Sequence, residues 1–403
     1  MSTATLLVEL VTEELPPKAL KRLGEAFTYV LQSELRKRDF ITEDVSISSY
    51  ATPRRLGVAI KRIPKEAPDR ELVEKLMPRS VAEDAAGKPT VALRRKLEKI
   101  GRAALADKYP DTWDGPDHLY VGTDGKVDCV WLRTLAKGQS LERGLEEALH
   151  EALERLPIPK VMSYAAPGSY YNNEKFVRPA HSLLALHGAD VIQVSALGLT
   201  AGRKTEGHRF LGRRDLDVAT AEAYAETLRA EGKVIASFAE RRAQIIAALG
   251  KAADGATVIM PEALLDEVTA LVEWPAVFAG TFDAAFLSVP QECLILTMQA
   301  NQRYFALADK SGRLVNRFLL VANLDPADPS AIIEGNERVL RARLADARFF
   351  FDQDRKTKLE SRIDRLRSIV FHNKLGTQAD RMDRVRFLAK DIAAKIGADP
   401  AAA

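Results

Sequence analysis

The N-terminal part of the chain alternates short apolar runs with one long amphipathic segment. The run 6–11 predicts a strand, and Thr12, two glutamates and two prolines after it predict a capped helix start. Apolar residues then keep helical spacing from 20 to about 38, and runs 45–50 and 56–63 predict two further strands. The order β-α-β-β is typical of an α+β opening.

The pattern changes after residue 63. Prolines punctuate the start of this stretch, 91–105 is basic with helical spacing, and two apolar runs flank the turn 122–126. The Asp124-Gly125 pair in that turn predicts a hairpin. A charged helix is expected over 141–156, and the loop 165–175, rich in Gly, Asn and Tyr, is expected to be exposed. Further on, two apolar runs flank 309–313 and predict a second antiparallel hairpin.

The stretch 335–354, GNERVLRARLADARFFFDQD, has the strongest helical pattern. Asn336 is expected to cap this helix, and Glu337 to pair with Arg341 four residues on. An apolar face and a cationic face share the helix. The apolar face comprises Leu340, Leu344, Ala347 and Phe351, and the cationic face includes Arg338, Arg341 and Arg348.

These patterns predict a multi-domain α+β protein. A mixed α+β N-terminal body is expected to precede an all-helical end, because strand signals stop at a proline- and aspartate-rich hinge near 325–330. The predicted division is an α+β lobe (1–63), a helical and hairpin insert (64–155), a β-rich α+β body (156–328) and a helical region (329–403).

Composition adds modest constraints. The 403 residues carry a net charge of +3, which alone does not indicate a nucleic-acid partner. Residues 331–403, however, hold 16 Lys and Arg against 11 Asp and Glu, which suits contact with a polyanion there. Two distant cysteines exclude a disulfide framework, and their spacing with His does not predict a zinc site. We expect a cytoplasmic protein, since no signal peptide or membrane span is recognised.

The loop 201–214 is strongly cationic, with five Lys and Arg against one acid. Arg203, Lys204 and Arg209 are candidate ligand contacts, and His208 could stack on a base or accept a proton. Glycines at 202, 207 and 212 would let backbone N–H groups approach an anion. Arg303, at the start of the second hairpin, could also face RNA. For each of these cations an ordinary solvated or structural role is the alternative.

Ten ordered segments resemble the beta subunit of the bacterial two-subunit glycyl-tRNA synthetase. They are LLVELVTEELPPKAL (6–20), ATPRRL (51–56), PKVM (159–162), FVRP (176–179), TEGHRF (205–210), VEWP (272–275), FLSVPQE (286–292), NQRYF (301–305), GNERVLRARLADARFFF (335–351) and FHNKLG (371–376).

The resemblance implies a fold, partners and a division of labour. The family is longer, so the chain resembles its N-terminal part, and the helical end resembles the start of an HD-type domain whose His-Asp pair is missing here. The alpha subunit would bind glycine and ATP with Mg²⁺, with no cofactor in this chain. The beta subunit would recognise tRNA(Gly) within an α2β2 tetramer. Arg54 and Arg55 then become RNA-contact candidates, with Arg338, Arg341 and Arg348 facing RNA or the alpha subunit.

The sequence departs from the family at one place, and one alternative function stays open. After PKVM the family usually has Arg and Trp, whereas this chain has Ser163 and Tyr164. A stand-alone hydrolase, either an HD-type phosphohydrolase or an editing esterase acting on charged tRNA, is the alternative function. A pull-down separates the two, because a synthetase beta subunit should capture a smaller alpha partner, whereas a hydrolase should work alone.

Overall fold

The computed structural model describes residues 2–165 and 173–402, so most of the loop predicted at 165–175 lies outside the described residues. Ten α-helices lie within the described ranges, and none of them is both long and apolar enough to cross a membrane. The helices are α1 (Pro17–Lys37), α2 (Arg79–Ala82), α3 (Val91–Lys99), α4 (Leu141–Glu154), α5 (Tyr224–Ala230), α6 (Phe238–Ala252), α7 (Glu262–Thr269), α8 (Gln291–Gln302), α9 (Ser330–Arg355) and α10 (Gln378–Lys395).

Short 3-10 helices and strands complete the described secondary structure. The 3-10 helices are Ala103–Lys108, Ala284–Ser288 and Leu359–Ser368. The strands are β1 (Thr3–Thr12), β2 (Ile47–Thr52), β3 (Arg55–Pro64), β4 (Arg70–Pro78), β5 (Thr112–Asp114), β6 (Asp117–Asp124), β7 (Val127–Ala136), β8 (Met162–Ala165), β9 (Asn173–Phe176), β10 (Ala180–His187), β11 (Asp190–Val191), β12 (Ser195–Ala196), β13 (Leu199–Thr200), β14 (Lys204–Thr205), β15 (Leu216–Asp217), β16 (Thr257–Ile259), β17 (Ala276–Thr281), β18 (Phe305–Ala308), β19 (Leu314–Ala322), β20 (Val370–His372) and β21 (Gly376–Thr377).

The chain forms two compact units. The first comprises Met1–Ala247, Leu265–Ala276 and Ala322–Asp325, and the second comprises Ala248–Leu264, Val277–Val321 and Pro326–Ala403. The mixed α+β class is confirmed. The four-part division predicted from the sequence is finer than these two units and stays a prediction.

A five-stranded sheet, ordered β11-β10-β1-β3-β2, organises the first unit. Strand β1 pairs antiparallel with β10 and with β3, and its residues from Thr5 onward are buried on both faces. Leu6, Val8 and Leu10 point to the core shared with α1 and α4. Leu7 and Glu9 point to the opposite face, because successive residues of a strand alternate. The predicted β-α-β-β opening is confirmed.

The start of α1 differs from its prediction. Pro16 occupies the N-cap position without a side-chain hydrogen bond, and Thr12 lies at the end of β1. The Thr12 hydroxyl donates to the Glu13 carbonyl at 2.7 Å. Thr12 is therefore not the helix cap, because the strand continues through it and the prolines fix the backbone that enters the helix.

The insert forms its own four-stranded sheet, ordered β4-β7-β6-β5. The predicted hairpin is confirmed as β6 and β7, joined by a turn in which Gly125 has a φ of 65°. Leu93 and Leu97 of α3 pack on Leu119 and Val130 of this sheet. The insert therefore has its own hydrophobic cluster within the first unit.

The second unit contains a sheet ordered β16-β18-β19-β17. Strands β18 and β19 form the predicted hairpin, and Asp309 accepts backbone N–H groups from Ser311 and Arg313 in its turn. The prediction of an all-helical end needs correction, since the described residues include the hairpin β20–β21. Strands of two or three residues are too short to show an alternating pattern, whereas the flanking helical spacing is long. The HD-like character of this region stays a prediction.

Candidate nucleic-acid interface

A buried charge cluster centred on Arg55 lies beneath the cationic loop of the first unit. The Arg55 guanidinium donates to Glu9 Oε1 at 3.0 Å, to Glu273 Oε1 at 3.3 Å and to the Glu206 carbonyl at 2.8 Å. Its Nε donates to the Thr52 hydroxyl at 3.1 Å. Burial alone would lower the pKa of Arg55, but the carboxylates of Glu273 and Glu9 hold it above its ordinary value.

Arg55 is 0% exposed, so it cannot contact RNA or a partner subunit in this fold. This corrects its prediction as a contact residue. The physical reason is that β3 turns Arg55 toward the same sheet face as Glu9, where the two charges neutralise each other away from water. Tyr224 completes this arrangement, since its hydroxyl donates to Glu9 Oε1 at 2.6 Å.

The loop 201–214 forms a partly exposed rim above this cluster. Arg54 is buried beside it, which corrects the prediction of Arg54 as a contact residue. Arg54 is 9% exposed and donates to Glu206 Oε2 at 2.9 Å, which ties the turn before β3 to the loop. Arg209 lies 3.6 Å from Glu13, and His181 Nε2 lies 3.1 Å from the other oxygen of the same carboxylate. Arg209, His181 and Glu13 are all partly exposed, so this rim is open to solvent.

His208 and the loop glycines have structural roles. The His208 ring is 1% exposed, and its Nδ1 accepts the backbone N–H groups of Phe210 and Leu211 at 3.2 Å. The ring is therefore closed off from a base, which corrects that prediction. The N–H groups of the three loop glycines also donate to backbone carbonyls rather than toward solvent, and Gly212 approaches the Gly232 backbone too closely for a side chain. Gly207 and Gly212 serve close backbone packing, and the N–H groups of all three glycines are used within the fold instead of for anion binding.

The other two loop cations have local partners. Arg203 donates to the Ala189 carbonyl at 2.9 Å and is half-buried. Lys204 lies 2.9 Å from Asp215 across the two-stranded pairing of β14 with β15, and its side chain is 62% exposed. An exposed ion pair of this kind contributes little to stability. Lys204 therefore stays available to a stronger anionic ligand.

In the second unit, α9 presents the predicted two faces. Leu340 and Leu344 are fully buried, whereas Arg338 and Arg341 are exposed. Neither arginine has a hydrogen-bond or ion-pair partner among the residues that the structure describes. Arg348 is also exposed and lies 3.9 Å from Asp352. The helix therefore carries a row of cations facing solvent.

The start of α9 corrects two local predictions. Asn336 lies inside the helix, donates to the Ile332 carbonyl and accepts from the Tyr304 hydroxyl at 2.5 Å. It does not cap the helix, because the helix begins six residues earlier, at Ser330. Glu337 accepts from the backbone and hydroxyl of Thr281 at 2.7 and 3.0 Å instead of pairing with Arg341.

Arg303 ends α8 in the left-handed region, with a φ of 59°. Its guanidinium donates to the Ala300 carbonyl of the last helical turn. A cation at a helix C-terminus is favoured by the negative end of the helix dipole. This contact gives Arg303 a structural role, and its contact with RNA stays a prediction.

Sequence reasoning missed the acidic partners of this interface. Glu9 and Glu273 lie in two of the segments that carry the family resemblance, 6–20 and 272–275, yet neither is among the candidate residues. Glu9 had one usable signal, because a lone acid inside an apolar strand predicts a buried, paired carboxylate. Tyr164, which stands where the family usually has Trp, has a structural role. Its hydroxyl accepts the Ala180 N–H at 3.2 Å, and its ring packs on the main core.

Comparison with known proteins places these observations in a family. A family model described as "Glycyl-tRNA synthetase beta subunit" matches residues 6–403. Similar proteins include the glycine–tRNA ligase beta subunits of Ralstonia nicotianae (51% identical), Thiobacillus denitrificans (50%) and Dechloromonas aromatica (51%). Each alignment covers 99% of this chain and 56% of the relative. The chain thus spans about half the length of these curated relatives, and it belongs to the glycyl-tRNA synthetase beta subunit family.

Proposed function

We propose that the chain forms the N-terminal part of a glycine–tRNA ligase beta subunit and contributes contacts to tRNA(Gly). The observation that carries this proposal is the solvent-facing arginine row of α9, within a chain whose family match covers residues 6–403. Arginine matches phosphate geometry through two parallel N–H donors, and phosphate contacts dominate nucleic-acid affinity.

The arginines of α9 have a clear physical task in this function. The guanidinium groups of Arg338 and Arg341 do not donate to any carboxylate of the described residues. They can therefore donate to a phosphate without breaking an ion pair. Leu340 and Leu344 fix the rotation of the helix by burial, which keeps the arginine row turned outward. The rim formed by Lys204, Arg209 and the exposed part of the loop 201–214 in the first unit is the second candidate contact surface.

The chemistry is divided between two subunits in this proposal. An alpha subunit binds glycine, ATP and Mg²⁺ and forms the activated amino acid, while this chain orients the tRNA and supports the assembly, an α2β2 tetramer. Aminoacylation serves translation, so the proposed location is the cytoplasm. The beta subunit names of the relatives support a partner subunit.

Reconstitution tests the proposal. The full-length beta subunit, the alpha subunit and their mixture are each incubated with labelled glycine, ATP, Mg²⁺ and a tRNA(Gly) transcript. Glycine should be joined to tRNA only in the mixture. The proposal fails if the alpha subunit alone charges tRNA as fast as the mixture, or if the beta subunit does not co-purify with it.

A further inference from the structure

The last part of the second unit gathers cations from three consecutive segments around one short hairpin. Lys374 lies at the exposed tip between β20 and β21. Arg367 precedes the hairpin in a 3-10 helix, and Arg384 follows it in α10. The 3-10 helix, the hairpin and α10 pack against one another, so the segments that carry these three cations are neighbours.

The cations that flank the hairpin are not held in direct ion pairs within the part of the chain that the structure describes. Among the described residues, no hydrogen-bond or ion-pair partner is found for the side chains of Arg367, Lys374 and Arg384, while the Lys374 backbone N–H donates to His372 Nδ1 at 3.1 Å. The carboxylate of Asp380, at the start of α10, is engaged locally: its Oδ2 accepts the N–H and hydroxyl of Thr377 at 2.7 and 2.9 Å as part of a capping box. The capping box leaves the helix end satisfied, so an anion here would be bound by side chains.

A flat stacking face adjoins these cations. The Arg381 guanidinium lies 4.6 Å from the centroid of the Phe371 ring, and both side chains are exposed. Proteins that bind unpaired nucleotides combine cationic grooves with aromatic and guanidinium planes on which bases stack. An acidic protein partner would use the cations but would not need this plane.

We infer that this surface, the hairpin patch (Arg367, Lys374, Arg381 and Arg384), binds the phosphate backbone of an RNA, with Phe371 and Arg381 stacking on an unpaired base. The inference rests on the proposed function, in which tRNA is the RNA. It adds a contact surface beyond α9, formed largely by the FHNKLG segment and the helix after it.

The test uses the full-length subunit in complex with its alpha partner. In the triple variant Arg367→Gln, Lys374→Gln, Arg384→Gln, affinity for a tRNA(Gly) transcript should fall about tenfold or more, and the salt slope of binding should flatten by roughly 2–3. A non-cognate tRNA should lose affinity by a similar factor, because phosphate contacts carry no sequence information. Phe371→Ala should weaken binding with little change in salt slope.

Arg386→Gln is the matched control. Arg386 lies on the same helix, is 64% exposed and pairs with Asp383 at 3.2 Å, so its loss should leave affinity and salt slope unchanged. Unchanged binding by the triple variant would overturn the inference while leaving the proposed function intact. Loss of the alpha subunit from the triple variant, measured by its mass in solution, would make the patch a subunit interface and also overturn it. If the unmodified complex neither binds nor charges tRNA, the proposed function itself fails.

Discussion

At the residue scale, Arg55 and Arg54 show how adjacent arginines acquire different roles. Both lie where β2 turns into β3, and the resemblance makes both of them candidates for contact with RNA. Arg55 points into the sheet face and is enclosed by Glu9 and Glu273, whereas Arg54 points toward Glu206 at the edge of the loop. The difference could not be predicted, because the partners of Arg55 are distant in sequence and no local pattern reports them.

Arg55→Met should destabilise the first unit strongly. The substitution leaves the Glu9 and Glu273 carboxylates buried without a cation, which costs about 3–5 kcal/mol of unfolding free energy. Urea denaturation of the subunit measures this. Lys61→Met, an exposed change on the same strand, should cost less than about 1 kcal/mol. Equal stability of the two variants would contradict the buried role of Arg55.

Glu34 gives a pH-dependent prediction. It lies at the end of α1, where hydrogen bonds from Lys37 and Arg38 lower the pKa of its carboxyl, and Arg155 adds a third contact at 3.1 Å. A lowered folded-state pKa means that this stabilisation is present above the unfolded value of about 4.3 and is lost as the pH falls through the folded value.

Glu34→Gln should therefore lower the unfolding free energy at pH 7 by about 1 kcal/mol or more. The gap to the unmodified protein should shrink as the pH falls below about 4. Denaturation at pH 7 and at pH 3.5 checks this, with Glu25→Gln on an exposed position of the same helix as the control. A gap that stays constant with pH would rule out this linkage.

At the element scale, long elements were predicted better than short ones. The 3.6-residue spacing of α9 predicted which side is buried, because this information is local to the helix. Its first turns were missed because Asn is a common helix-capping residue, whereas the contact of Asn336 with Tyr304, which precedes β18, is not visible in the local sequence. The hairpin β20–β21 was missed because two or three residues cannot establish a period.

Arg341→Ala should lower tRNA affinity by about 1 kcal/mol or more and flatten the salt slope. Thermal stability should stay unchanged, because Glu337 is bound to Thr281 and does not need Arg341. Binding at two salt concentrations and the melting temperature of the complex measure the two effects. Lys395→Ala, which removes a cation paired with Asp391 at 2.7 Å, serves as the control. A lower melting temperature with an unchanged salt slope would assign Arg341 to the structure instead.

At the scale of the whole molecule, the chain crosses between its two units several times. The segments Leu265–Ala276 and Ala322–Asp325 return to the first unit after parts of the second unit. Asn323 in the later segment accepts the backbone N–H groups of Glu273 and Trp274 at 2.7 and 3.0 Å. Such returns have no compositional signature, which is why a linear division of the sequence could not predict them.

The proposed partition of chemistry predicts no adenylate chemistry from this chain alone. The sequence carries no recognised glycine-rich phosphate loop, and in the proposal glycine and ATP bind to the alpha subunit. Pyrophosphate exchange with glycine, ATP and Mg²⁺ should remain at the blank for the isolated beta subunit and appear when the alpha subunit is added. Exchange above the blank by the isolated subunit would refute the partition.

The buried charge cluster has a consequence for how the protein is made. Arg55 and Glu273 are 218 residues apart, and synthesis at about 5–20 residues per second separates their emergence from the ribosome by roughly 10–40 s. Until Glu273 emerges, Arg55 has only one of its two carboxylate partners, Glu9, in the growing chain. The first unit can therefore close over Arg55 only after Glu273 has emerged from the ribosome, and until then the sheet face that Arg55 enters stays open.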